Sequence, residues 1–383
     1  MKTIYLDHNA TTPVADEVLA AMLPFWQTQY GNPSSIHRMG QAARHAVERA
    51  REEVAALIGA EARRIVFTSG GTEADNLAIL GTLAAHPQKR HVVTTAVEHV
   101  AVRDLCRRLE TQGYRVTFVE VDTAGRLDLD AFEHALTDET ALASVMHANN
   151  ETGVVFPIRR IAEIANARGV PLHVDAVQTA GKIEIDAPAL GAQLLTLSAH
   201  KMHGPKGVGA LYVGRGTRLR SRLVGGHQER DLRPGTENVA AIVGFGAAAS
   251  LATGRLEQGW SHVAALRDRL ERGLLQRVPS ARVLGDPESR VANTTYVAFE
   301  TLEAEAILIG LSERGLCASS GSACGSGSLE PSHVLEAMGI EERLAHGAVR
   351  FSLSWETSES EINRALEIVP DVVARLAAVN PVG

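Results

Sequence analysis

From about residue 64 to residue 215 the chain alternates short apolar runs with longer, helix-like stretches. The short runs are Ile65-Val66-Phe67-Thr68, His91-Val92-Val93-Thr94, Val116-Thr117-Phe118-Val119, Leu142-Ala143-Ser144-Val145-Met146, Val170-Pro171-Leu172-His173-Val174 and Leu194-Leu195-Thr196-Leu197. Runs of this length between glycine and polar residues predict buried strands. The stretches between them, one starting near Thr72 and one over 102–109, predict helices. The alternation implies βαβ units, and so an α/β chain with a mostly parallel central sheet flanked by helices. Beyond it, 239–252 and 256–276 predict two long helices that mark the passage to a second, smaller unit. There, Thr294-Thr295-Tyr296-Val297-Ala298-Phe299 and 349–353 predict strands, and 304–314 and 359–378 predict helices, which describes a small α+β domain. No internal repeat is present. The Gly/Ser-rich stretch 319–328 reads as a flexible loop by composition.

Composition narrows the class. The 383 residues are 45% hydrophobic and 22% charged, which is globular and leaves room for two domains. A net charge of −7 argues against direct binding of nucleic acid as the main business. The start, Met1-Lys2-Thr3-Ile4-Tyr5-Leu6-Asp7, lacks the apolar core of a secretion signal. No run reaches the roughly 18 apolar residues of a membrane span, so a cytoplasmic chain without a membrane partner is expected. Cys106, Cys317 and Cys324 make neither a disulfide framework nor a zinc spacing. His200 and His203 have no third ligand nearby and Pro205 ends any helix there, so no metal site is expected.

The candidate chemistry starts at Lys201, at the mouth of the run 194–197, in Ser198-Ala199-His200-Lys201. The preceding run ends in Asp175, and successive parallel strands bring both to one carboxyl edge, where α/β sheets bind ligands. A lysine able to form a Schiff base beside an acid able to hold a pyridinium nitrogen is the minimal set for pyridoxal 5'-phosphate (PLP). Taken alone, the pair reads equally as a surface lysine and a turn aspartate. Ser69-Gly70-Gly71-Thr72-Glu73 follows a strand and opens a helix. Glycines such as Gly71 let the backbone approach an anion, the helix start offers N–H groups, and Thr72 adds a hydroxyl. By itself this is also a plain turn with Thr72 as N-cap. The three anchors together favour a phosphate, with Ser198 and His200 near enough to Lys201 to donate as well. His99 follows the strand at 91–95 and falls at the same edge, where an imidazole can stack on a pyridine ring and move protons.

Cys324 lies in the Gly/Ser stretch and reads as an exposed, tethered thiol. Cys106, beside Val102, Leu105 and Leu109, and Cys317, after Leu316, read as core. With PLP, a mobile thiol implies a carried group, and sulfur is the natural candidate. Arg350 is suited to hold an amino-acid carboxylate bidentately, against the alternative of a surface salt bridge.

At this point the chain resembles the NifS/IscS-type cysteine desulfurases, within the class V, fold-type I PLP enzymes. The resemblance runs nearly end to end. It is carried by Tyr5-Leu6-Asp7-His8-Asn9-Ala10-Thr11-Thr12-Pro13, Gly31-Asn32-Pro33-Ser34-Ser35-Ile36-His37, 68–76, Asn149-Asn150-Glu151-Thr152-Gly153, the Asp175 and Lys201 segments, Arg233-Pro234-Gly235-Thr236-Glu237-Asn238, and 319–333. It implies a large PLP-binding domain over 15–255 and a small domain, 1–14 with 256–383, that carries the cysteine loop. Lys201 would form the Schiff base, Asp175 would hold the pyridinium nitrogen, and Asn150 and Gln178 would reach the ring hydroxyl. His99 would stack on the ring and serve in proton transfer. Gly71, Thr72, Ser198 and His200 would hold the phosphate, with Thr236 supplied by the second subunit of a homodimer. Arg350, with Asn150 and Asn32, would hold the carboxylate of L-cysteine, and Cys324 would take the sulfur.

Departures from the pattern are Ala199 where glycine is common, His203 where an aromatic is common, and Asp231 and Pro234 before Thr236. The chain ends at Gly383, without the longer tail that docks an iron–sulfur scaffold in some relatives, which leaves the sulfur-acceptor protein open among iron–sulfur cluster assembly, tRNA thiolation, DNA sulfur modification and cofactor thiolation. The alternatives at this stage are a selenocysteine lyase or another class V enzyme and, from another class, a non-catalytic sulfur relay or scaffold.

Overall fold

The computed structural model describes residues 3–321 and 331–379, and Cys324 lies outside the described residues. The strands are β1 (Ile4–Tyr5), β2 (Ile65–Thr68), β3 (His91–Thr95), β4 (Arg115–Val119), β5 (Thr140–Met146), β6 (Leu172–Asp175), β7 (Leu194–Ser198), β8 (Gly209–Val213), β9 (Ala281–Leu284), β10 (Thr294–Phe299), β11 (Leu316–Cys317) and β12 (Ala348–Ser352). The helices are α1 (Asp16–Gln27), α2 (Arg38–Leu57), α3 (Gly71–Ala85), α4 (Val100–Thr111), α5 (Leu129–Ala135), α6 (Ile158–Ala167), α7 (Ala187–Leu190), α8 (Val239–Gln258), α9 (Ser261–Arg277), α10 (Ala304–Glu313), α11 (His333–Ala337), α12 (Glu342–Ala345) and α13 (Glu359–Val379).

The 7-stranded sheet has the order β2-β8-β7-β6-β5-β3-β4, parallel except for β8, which runs against both its neighbours. Successive side chains point to opposite faces of a strand, and the apolar runs show why both faces are filled. Ile65, Phe67, Val93, Ala143, Leu195 and Leu197 enter the core under α1, α2, α6 and α8, whereas Val66, Val92, Leu142 and Leu194 enter the one under α3 and α4. Such runs are apolar throughout because neither face meets water.

A second core lies under the antiparallel sheet β12-β10-β9 and the helices α9, α10 and α13. Ile4 and Leu6 belong to it, because β1 pairs in parallel with β11 (Ile4 with Leu316, Tyr5 with Cys317). The chain then crosses to the large sheet: His8 N–H donates to the Ser352 carbonyl, and Thr12 N–H to the His200 carbonyl. The segment 7–12 is thereby drawn between the two cores.

Three expectations need correction. Helix α8 runs to Gln258 rather than ending near 252, and it stops where Gly259 adopts φ 77°. A left-handed residue breaks the hydrogen-bond ladder, and glycine reaches that conformation without strain. Over Val239–Leu256 the same helix is long and apolar enough to cross a membrane by length and composition. Here the apolar surface packs against α1 and α2, and half of that window is buried within the chain. Cys106 is buried as expected, but Cys317 is only partly so.

Candidate active site

The carboxyl ends of β6 and β7 lie side by side, with Asp175 opposite Thr196 in register. β6 ends on Asp175, and β7 ends on Ser198, followed by a 3-10 turn over Ala199–Lys201. Asp175 is buried, and its Oδ1 accepts the Val177 N–H at 2.9 Å. Burial pushes its carboxyl up to about 6, while the Val177 bond and the Lys201 charge pull the other way. Lys201 Nζ donates to the carbonyls of Asn9 (2.5 Å) and Ala10 (2.9 Å). Gln178, also buried, donates from Nε2 to the same Asn9 carbonyl at 3.1 Å.

Beside them is a cavity of about 430 Å³, lined by Thr11, Gly70, Gly71, Thr72, Ser198 and His200 among others. The N-cap of α3 is Gly70, so Thr72 stands in the first turn and is not the cap. Amides of a first helical turn have no partner within the helix and face any bound anion. A Cβ on Gly71 would meet Val177 Cγ2 at 3.0 Å, and one on Gly209 would lie 2.6 Å from the Gly70 carbonyl carbon. Only glycine at these two positions lets the turn sit this close to β7 and β8. Ser198 Oγ is buried there with no hydrogen-bond partner. A buried hydroxyl without a partner is costly, and a phosphate in this cavity would supply one. His200 Nδ1 lies 3.1 Å from Thr11 Oγ1. The donor set therefore fits the phosphate of PLP, and the Asp175 carboxylate fits its ring nitrogen.

His99 caps α4, its Nδ1 accepting the Ala101 N–H at 3.2 Å, so the proton of the neutral ring sits on Nε2. Burial, and next the positive charge of Lys201, lower its pKa to about 4. The imidazole is neutral over the working range.

Arg350, on β12, is buried, so the surface salt bridge does not describe it. Nη1 donates to the Asn150 carbonyl at 2.9 Å and Nη2 to Asp7 Oδ1 at 2.7 Å, while Nε has no partner. The antiparallel sheet thus delivers a guanidinium from β12 to the Asn150 segment beyond β5. Asn32 is not brought there by any described hydrogen bond. It stands exposed between α1 and α2, accepting from Ser34 N–H at 2.9 Å. Thr236 is likewise exposed in the single chain. Its segment is tied to the cradle, since Arg233 Nε donates to Glu73 Oε1 at 2.9 Å.

Several residues of the site were not singled out in the sequence. Glu98 is buried beneath His99, accepts Thr95 Oγ1 and Met146 N–H, and burial raises its carboxyl to about 8. Glu151 and Tyr296 bracket the stretch that holds Cys324. Tyr296 OH donates to the Ser320 carbonyl at 2.7 Å, and Ser332 Oγ donates to Glu151 Oε2 at 2.5 Å. Asn9 and Lys182 lie behind Lys201. Glu151 and Asn9 stand inside motifs that were recognised, but nothing in their spacing shows what they touch. His203, the odd residue at its position, stacks on Trp355 with ring centroids 4.2 Å apart.

Residues 4–365 match the family model described as aminotransferase class-V. The chain is 54% identical over 381 residues to cysteine desulfurase 2 of Trichormus variabilis, covering 100% of this chain and 96% of that protein. It is 53% identical over 382 residues to the cysteine desulfurase NifS of Azotobacter vinelandii, covering 100% and 95%. A solved NifS-like protein superposes with a TM-score of 0.92 at 36% identity, over 98% of this chain and 100% of its own.

Proposed function

This chain belongs to the aminotransferase class-V family and is a cysteine desulfurase of the NifS type, from which premise we propose that Cys324 takes the sulfur of L-cysteine and delivers it to an acceptor protein. PLP dependence follows from the family. The observation that most supports the assignment of residues is the shared sheet edge: Asp175 ends β6 beside β7, and Ser198 and His200, just before Lys201, line one cavity with Gly70–Thr72.

PLP, when bound, supplies an electron sink that allows the Cα–H and Cβ–S bonds of cysteine to break. Lys201 would carry the cofactor at rest, and its amine, once released, would take the Cα proton. The buried Asp175 would hold the ring nitrogen, and Asn150 and Gln178 would reach the ring hydroxyl. Gly71, Thr72, Ser198 and His200 would hold the phosphate. Neutral His99 would stack on the ring and move a proton through Nε2, consistent with its depressed pKa. Arg350, with Asn150, would bind the substrate carboxylate. The Cys324 thiolate then attacks the substrate sulfur. The new S–S bond forms as the Cβ–S bond breaks, and the electron pair left on carbon takes up a proton. L-cysteine and the enzyme thiol become L-alanine and an enzyme persulfide, with no outside oxidant or reductant.

The working form on this reading is a homodimer in which Thr236 completes the partner's phosphate site. Exposed Trp26, Tyr30, Ile36, Leu223 and Val224 support it, as apolar surface of this kind marks contact sites. Free thiols at Cys106 and Cys317 suit a reducing, cytoplasmic setting.

The test is to assay alanine and sulfide together while recording the visible spectrum. With L-cysteine and excess dithiothreitol, which reduces the persulfide to enzyme thiol and sulfide, wild type should be yellow and yield equal amounts of both. Cys324→Ser should keep the colour and lose sulfur transfer, and Lys201→Ala should lose the colour. Desulfuration that persists in Cys324→Ser would remove the cysteine from its role. With L-cysteine and L-selenocysteine offered together, selenide formed in preference to sulfide would favour the selenocysteine alternative.

A further inference from the structure

Lys182 is buried in the turn beyond Gln178, behind Lys201. Its Nζ lies 3.2 Å from Gln178 Oε1 and 3.4 Å from Asn9 Oδ1. Burial, and next the like charges of Lys201 and Arg350, lower its pKa to about 7. Its described hydrogen-bond partners are these two amide oxygens, and perturbed groups of this kind concentrate at functional sites.

Lys182 Nζ donates to the Gln178 amide oxygen, which turns Gln178 Nε2 to the other side. One N–H of that nitrogen goes to the Asn9 carbonyl at 3.1 Å, and the second remains for a bound group. The Asn9 carbonyl also receives Lys201 Nζ. The Asn9 amide is held separately: its Oδ1 accepts Asn293 Nδ2 at 3.0 Å, and its Nδ2 donates to the Asn150 carbonyl at 3.1 Å and Thr294 Oγ1 at 2.9 Å. Among the described hydrogen bonds, Lys182 is thus the group that orients the Gln178 amide.

We propose that Lys182 is a positioning residue for the desulfurase reaction: by holding the amide oxygen of Gln178, it sets the N–H that Gln178 offers to the cofactor hydroxyl, and through it the proton affinity of the Lys201 linkage. The inference rests on the reading that Lys201 carries PLP and Gln178 reaches the ring hydroxyl. A donor to that hydroxyl stabilises its anionic form, which lowers the pKa of the linkage, and Lys182 adds a positive charge with the same effect below about pH 7, where it is protonated. The other titratable groups facing Lys182 are His8 from the N-terminal segment and His203 from the turn after β7. Burial lowers both, to about 4 and about 3, so they remain neutral at the pH of the test.

The experiment is a pH titration of the visible absorbance of the holoenzyme, with the thermal midpoint recorded alongside. Lys182→Met should raise the pKa of the spectral transition by about one unit, a tenfold change in proton affinity. Lys182→Gln, which is shorter and neutral, should shift it the same way and carries the test if the methionine variant does not fold. Gln178→Met serves as the control for the reading beneath. A shift in Gln178→Met with none in the Lys182 variants would overturn the proposal and leave Lys182 a packing residue. No shift in Gln178→Met would overturn the placement of Gln178 itself. A fall in thermal midpoint with an unmoved spectral pKa would mark a purely structural lysine.

Discussion

Arg350 shows how much one side chain is asked to do. Its guanidinium is buried, joined to Asp7 and the Asn150 carbonyl, and has an unpartnered Nε. An incoming carboxylate can exchange for Asp7 and satisfy that nitrogen. Losing such charge-assisted bonds costs about 3 kcal/mol. Arg350→Ala should therefore lower kcat/KM for L-cysteine about a hundredfold, mainly through KM, while the cofactor absorbance remains. Arg350→Lys should recover little, because an ammonium keeps the charge but not the planar fork. Steady-state kinetics checks both, and an unchanged KM would exclude carboxylate binding here. The residue type and its place in the sequence suggested this role, and burial removed the alternative of a salt bridge at the surface.

At the scale of elements, the contacts between Glu151, Tyr296 and the stretch bearing Cys324 tie chemistry to architecture. Tyr296 stands on β10 and Glu151 follows β5, so the two cores meet at the ends of that stretch, at Ser320 and Ser332. Glu151 is fully buried, and burial raises its carboxyl above the usual range against the Ser332 bond and the Arg350 charge. Tyr296→Phe deletes one hydroxyl bond, about 1 kcal/mol. The expected result is an unchanged cofactor spectrum, an unchanged spectral response to L-cysteine, and alanine formation about fivefold slower in single turnover. A weakened response to L-cysteine would instead place Tyr296 in substrate binding. None of this was legible in sequence, since a tyrosine in the apolar run 294–299 reads as core, and its hydroxyl partner lies on a different element.

Across the whole molecule, burial of histidine dominates the pH response. Burial holds His8, His91, His99, His147 and His200 at about 4, and His173 and His203 at about 3. Unfolded histidine titrates near 6.5. Between about pH 4 and 6.5 the unfolded chain therefore binds more protons than the folded one, and stability falls as pH drops through that window. Asp175 (about 6), Glu98 (about 8), Glu53, Asp75, Glu151 and Glu356 act in the opposite direction, because burial raises their folded-state pKa values, but the histidines outnumber them. The thermal midpoint should fall steadily from pH 7 to pH 5. A midpoint that rises over that range would mean that the imidazoles are charged in the fold. Six strands of the large sheet, the placement of Asp175 and Lys201 at its edge and the glycine turn before α3 were determined by the sequence alone, because each follows from short-range patterning: apolar runs, the residues that end them, and glycines that let backbone approach. Only the tertiary structure decided that β8 is the seventh strand and runs against its neighbours, that Asn9 and Lys182 stand behind Lys201, that Arg350 reaches from β12 to Asn150, and that α8 packs its apolar face on α1 and α2. These are contacts between residues far apart in the chain. They depend on how separate elements pack, and no local pattern encodes that distance.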